Sequence, residues 1–170
     1  MTLSGTGRSS PAPASSRNSR TMARALVLNG PNLNMLGIRE PHLYGTQTLA
    51  DARALCEAEA AALGMEMDFR QTNHEGVLID WVHEAHTAFD GIVINAAGLA
   101  RTSIILHDAV KAIGVPVIEI HITNIYQRDA WRPPSMLSKS VLGLICGFGL
   151  EVYPLGLRAL HGALAKRKSG

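Results

Sequence analysis

Residues 91–121 read GIVINAAGLARTSIILHDAVKAIGVPVIEIH, and this stretch decides the fold. A short β-branched apolar run, Gly91 to Asn95, gives way to helical periodicity from Thr102 to Ile113, and a second apolar run follows from Pro116 to His121. Gly114 and Pro116 stand between helix and strand as stop signals. Short buried runs separated by longer helical segments are the signature of a parallel sheet covered on both faces.

The same alternation extends outward in both directions. Further strands are predicted at Arg24 to Asn29, Met65 to Arg70 and Val141 to Cys146. Helices are predicted at Thr48 to Leu63, where Gly64 ends the Ala-rich run, at Glu75 to Phe89, and at Leu155 to Lys166. Five parallel strands with helices on both faces make a flavodoxin-like α/β domain. The 170 residues suit one such domain, expected over 22–170. Residues 1–21, MTLSGTGRSSPAPASSRNSRT, hold Arg8, Arg17 and Arg20 with no acid. Their Ser, Pro and Gly content, without large apolar side chains, predicts a disordered tail, because too little surface is available to offset ordering entropy. An organellar transit peptide shares the Arg and Ser bias but would show amphipathic helical patterning, which the tail lacks. Met22 offers an alternative start.

Composition excludes several function classes. Hydrophobic residues at 46% and charged residues at 18% exclude a globally disordered or fibrous chain. No run of eighteen apolar residues is present, so no helical membrane span is expected. The formal charge is only +2, and setting aside the three tail arginines leaves −1, which argues against nucleic acid as a partner. Cys56 and Cys146 form no CxxC pair, so neither a disulfide framework nor a zinc site is indicated, and a reducing, cytoplasmic location follows.

Polar groups gather where this topology places ligands, beyond the carboxyl ends of the strands. Asn29-Gly30-Pro31-Asn32, Asn95 and His121 each close a predicted strand. Any one alone is ordinary loop chemistry, whereas three together favour a site. The segment after the first strand, NGPNLNMLGIREPHLYGTQTL, is too long and too rich in Gly, Pro and Asn for a plain connector, and it carries Arg39 and Tyr44 between Gly37 and Gly45. A phenol with pKa about 10 is only about 0.1% ionised at pH 7, so using it as a base costs roughly 4 kcal/mol. A guanidinium held against it lowers the pKa by about one to three and recovers much of that cost. The plainer alternative is a solvated cation and a packed ring.

Glu119 and His121, two apart on one strand, point to the same side, and a carboxylate-oriented imidazole is a competent general acid near neutral pH. A hydrogen-bonded interior histidine is the alternative. His42, His74, His83, His86, His107 and His161 have no HExxH spacing, so a metal site is not expected. The glycines of Asn29-Gly30-Pro31 and of Gly143, Gly147 and Gly149 lack the order of a nucleotide loop. The turn Asn95-Ala96-Ala97-Gly98 has the form of a backbone anion nest. Arg128 and Arg132 suit a small anionic, hydroxyl-rich ligand, or else a surface salt bridge or subunit contact.

Taken together, LNGPNLNMLGIREPHLYG, NHEGVLID (73–80), the strand-end Asn95 followed by RTS, EIHITN (119–124) and RDAWRPPS (128–135) resemble the type II 3-dehydroquinate dehydratases. The resemblance runs from about Arg24 to the C-terminus. It implies a cofactor-independent lyase, assembled as a dodecamer of trimers, that converts 3-dehydroquinate to 3-dehydroshikimate. That step is shared by aromatic amino acid biosynthesis and quinate catabolism. By the same resemblance Tyr44 is a tyrosinate base, with Arg39 lowering its pKa. Asn32 holds the enolate through an ordered water, and His121, oriented by Glu119, is the general acid. Asn95 and Arg132 would bind substrate hydroxyls, Ile122 and Thr123 the carboxylate, and Asp108 would reach a neighbouring subunit's site.

The chain departs from the family pattern at several points. NAAGLARTS stands where NPGAxTHTS is usual, so Ala96 replaces a proline and Arg101 takes the place of a substrate-binding histidine. Arg101 retains the capacity to donate to a substrate hydroxyl, with different reach and charge. Thr123 replaces serine, and Pro133-Pro134 replace a pair that commonly contains histidine.

Overall fold

The computed structural model describes residues 22–38, 46–127 and 130–169. The proposed N-terminal tail, Arg39, Tyr44 and Arg128 lie outside the described residues. Five strands, β1 (Ala23–Asn29), β2 (Met65–Gln71), β3 (Gly91–Asn95), β4 (Val117–His121) and β5 (Gly143–Cys146), form one sheet in the order β2-β1-β3-β4-β5. Every pairing is parallel, in keeping with the crossover pattern of the sequence.

Helices cover both faces. Alternate side chains of β1 divide cleanly: Ala25 and Val27 enter one core with α1 (Leu49–Ala62) and α5 (Val152–Lys168). Leu26 and Leu28 enter the other with α2 (Glu75–Ala88) and α4 (Ile104–Ala112). All four of these strand residues have no exposed surface, which is why β1 reads as a continuous apolar run rather than an alternating one. α1 begins with a reciprocal cap: Thr48 Oγ1 accepts from the Asp51 N–H at 3.3 Å while the Thr48 N–H donates to Asp51 Oδ2 at 2.7 Å. It ends before Gly64, whose φ of +65° is the left-handed conformation glycine adopts without strain.

Two helix boundaries differ from the sequence expectation. The helix expected from Thr102 to Ile113 is split into a single turn, α3 (Leu99–Thr102), and α4, with extended Ser103 between them. A tertiary hydrogen bond accounts for the break. The Ala100 carbonyl, which a continuous helix would offer to Ile104, accepts instead from the Met136 N–H at 2.9 Å. Ser103 Oγ then caps α4 by accepting from the Leu106 N–H at 2.9 Å. α5 starts at Val152, ahead of the expected Leu155, because Pro154 falls within the first turn, where its missing N–H has no intrahelical partner to lose.

α5 crosses the sheet closely. An added Cβ at Gly156 would sit 2.8 Å from Val93 Cγ1 and 3.1 Å from Ile120 Cγ2, both buried. Gly156→Ala therefore sets a helix-propensity gain of about 1 kcal/mol against an overpacking cost of about 1–3 kcal/mol. The overpacking term dominates, since the two β-branched neighbours are stiff at χ1. We expect a net loss of stability of about 1 kcal/mol in urea denaturation; an unfolding midpoint above that of the parent chain would contradict this packing account.

Candidate active site

β1 and β3 lie side by side, yet the chain leaves their carboxyl ends in opposite directions. This is the switch point at which open α/β sheets hold ligands. The register sets Asn29 against Asn95. Gly30 allows the two following loops to meet, since its N–H donates to the Asn95 carbonyl at 2.8 Å and an added Cβ would lie 2.6 Å from the Ala96 carbonyl oxygen. Just beyond, Asn32 adopts φ 68°, a left-handed conformation that Asn tolerates better than most side chains. Its N–H donates to Asn73 Oδ1 at 2.9 Å.

A cavity of about 180 Å³ opens at this point. Of the residues predicted from sequence, Asn32, Asn95, Arg101, His121, Ile122 and Arg132 all line it. They come from four separate places in the chain: the β1 loop, the β3–α3 turn with α3, the end of β4, and the segment before Ser135. Pro31, Ala97 and Gly98, from the two strand-end turns read in the sequence, complete the wall together with Leu33, Met35 and Leu36, an apolar contribution that sequence reasoning did not single out. Two guanidiniums facing one small cavity give it a positive potential suited to an anion. Arg132 also lies over the Trp131 ring at 4.7 Å.

His121 is held from behind. Its Nε2 lies 2.7 Å from Glu119 Oε1, and both side chains are buried, Glu119 completely. Parallel-strand alternation puts them on one face, as the sequence predicted. The same Oε1 accepts from Ser135 Oγ at 2.6 Å. Ser135 closes the RDAWRPPS motif, but the sequence reading gave it no role, because its partner lies sixteen positions away in the chain. Two donors on one carboxyl oxygen fix the plane of Glu119 and therefore the tilt of the imidazole. Nδ1 is left as the ring nitrogen for the cavity that His121 lines.

The remaining expectations divide. Thr123 follows Ile122 but does not line the cavity, and Asp108 lies on α4, exposed, with His107 Nδ1 at 3.1 Å from its Oδ1. The expected anion nest takes another form. Ala97 is left-handed at φ 51°, but its N–H donates to Asn95 Oδ1 at 3.3 Å, so this turn orients Asn95 and does not offer that amide to a ligand. Among the described residues no three His, Cys, Asp or Glu side chains gather as a metal site would require, and no helix is long and apolar enough to cross a membrane.

Comparison with known proteins gives a consistent result. The family model described as class II dehydroquinase matches residues 23–161. The chain is 55% identical over 142 residues to a 3-dehydroquinate dehydratase of Sinorhizobium medicae, covering 84% of this chain and 96% of that protein. It is 54% identical to the corresponding enzyme of Rhizobium meliloti, again over 84% and 96%. Among solved structures, the type II dehydroquinase of Propionibacterium acnes superposes with TM-score 0.79 at 40% identity, covering 83% of this chain and 98% of that one. The Butyrivibrio crossotus type II dehydroquinase gives TM-score 0.81 at 34% identity over 83% and 99%.

The buried carboxyl predicts a measurable dependence on Ser135. Removing its hydroxyl leaves Glu119 Oε1 with the imidazole alone, at a cost of about 1–3 kcal/mol for a buried acceptor. Ser135→Ala is expected to lower the chemical-denaturation stability by that amount; an unchanged midpoint would mean that the contact contributes nothing.

Proposed function

Because this chain belongs to the class II dehydroquinase family and is a 3-dehydroquinate dehydratase, we propose that it removes water from 3-dehydroquinate by anti elimination through an enolate. The observation that carries this reading is the buried His121–Glu119 pair at the wall of a cavity also lined by Asn32, Asn95, Arg101 and Arg132. Such a wall supplies a proton donor, hydroxyl-binding amides and positive charge around one small anionic ring.

In this mechanism Tyr44, as tyrosinate, takes the proton from the carbon next to the ketone. Arg39 stabilises the phenolate, and the electron pair moves into the carbonyl to form the enolate. Asn32 supports that enolate through a water molecule. His121, doubly protonated, donates Nε2–H to Glu119 and gives Nδ1–H to the departing hydroxyl, so that the enolate collapses to the conjugated ketone and water leaves. Asn95 and Arg132 bind substrate hydroxyls, Arg101 adds a further donor, and Ile122 receives the carboxylate. The described residues flanking Arg39 and Tyr44 support this assignment. Met35 and Leu36 line the cavity, and an added Cβ at Gly37 would lie 2.9 Å from the Thr46 carbonyl oxygen, so residues 37 and 46 meet next to these lining residues.

The reading extends to assembly and location. We assign the protein to a cytoplasmic dodecamer of trimers in which Asp108 approaches a neighbouring cavity. In support, Ile104 and Asp108 share one exposed helix face, and Ile104 and Ile105 are 65% and 56% exposed. Tyr126 and Phe148, which follow the adjacent strands β4 and β5, are similarly uncovered.

The test is direct. Purified protein given 3-dehydroquinate should generate the ultraviolet absorbance of the conjugated product. Tyr44→Phe should lower kcat by about 10²–10⁴ while the oligomer survives size-exclusion chromatography. A parental rate in that variant would eliminate tyrosinate catalysis.

A further inference from the structure

The mechanism uses Asn95 but not the phenol behind it. Tyr153, on the first turn of α5, is completely buried, and its O–H donates to Asn29 Oδ1 at 2.6 Å. Asn29 is itself fixed, since its Nδ2 donates to the Arg70 carbonyl at 3.0 Å, which leaves Oδ1 as the atom facing the phenol. A phenol has one proton. With that proton committed to Asn29, the phenol oxygen meets Asn95 only as an acceptor, and Asn95 Nδ2 lies 3.5 Å away, the long member of the chain. On the other side of Asn95, the Ala97 N–H donates to Oδ1 at 3.3 Å.

Two contacts, one from the core and one from the turn, therefore require the same amide orientation. A flipped Asn95 would set its NH₂ against the Ala97 N–H and its carbonyl against an oxygen whose proton is already taken. Both encounters are repulsive, the first part-buried and the second buried, where an unpaired polar group is costly. Burial also pushes the Tyr153 phenol well above its ordinary pKa, so it retains its proton.

We propose that Tyr153 is a positioning residue that locks Asn95 as a hydrogen-bond donor into the cavity. Its second Nδ2–H is presented to a substrate hydroxyl oxygen, and a ligand offering only a donor there is disfavoured. The proposal rests on the reading of Asn95 as a substrate contact. It adds a specificity element carried by a side chain that never touches the substrate.

A double-mutant cycle on the full-length enzyme, with 3-dehydroquinate as the probe, separates the two claims. Tyr153→Phe is expected to raise KM about tenfold, more than it lowers kcat, and this effect should disappear in the Asn95→Ala background. An unchanged KM in Tyr153→Phe, or an increase of the same factor with and without the Asn95 amide, overturns the positioning role alone. A parental KM in Asn95→Ala overturns the reading of Asn95 as a substrate contact and this proposal with it. Should Tyr153→Phe not yield folded protein, Asn29→Leu serves in the same cycle, since it frees the phenol proton to donate to Asn95 and favour the flipped amide. The same KM increase, absent in the Asn95→Ala background, supports the proposal; an increase that persists there overturns it.

Discussion

Much of the structure depends on the close parallel pairing of β1 with β3, which brings Asn29 and Asn95 together at the centre of the sheet. Just before them Ala25–Leu28 and Ile92–Ile94 are apolar and fully buried, so a pair of amides at the strand ends must find partners inside the protein. They do so through Tyr153 of α5 and the Arg70 carbonyl of β2, which links four elements in one polar seam. The same closeness requires Gly30, because any side chain there would meet the Ala96 carbonyl. Sheet order, helix docking and the opening of the cavity thus share one set of constraints at the switch point.

A second buried polar group sits across the cavity. Glu119 has no exposed surface, and it is retained by the His121 imidazole and the Ser135 hydroxyl on a single oxygen. Met136, the next residue, takes the Ala100 carbonyl with its N–H, which is what breaks the helix after β3 and separates α3 from α4. The segment carrying Arg132 is thereby tied to the turn carrying Arg101. Two cations that line one cavity are positioned by the same few hydrogen bonds that orient the histidine. Arg101 accordingly sits at the cavity, where its guanidinium adds permanent positive charge.

Tyr153 is enclosed by apolar side chains and a neutral amide, and it keeps its proton. Tyr44 is proposed to lose its proton beside Arg39. Tyr153 thus supplies a rigid neutral bridge in the core, because the charge of a phenolate is penalised there.

The sequence alone determined the layered parallel architecture, since buried strands must be apolar along their whole length and covering helices must follow a 3.6-residue period. It also identified Asn32, Asn95, Arg101, His121, Ile122 and Arg132 as candidates, and these side chains meet at one cavity. Glu119 behind His121 was legible because strand alternation is local. Ser135 and Tyr153 were not. Their partners are sixteen to 124 residues away, and neither periodicity nor motif spacing records a contact that exists only once the chain has closed on itself. For the same reason the split after Thr102 was set by tertiary hydrogen bonding, which overrides local helix signals when a carbonyl has a better partner elsewhere, whereas the early start of α5 has a local cause, since Pro154 fits a first turn.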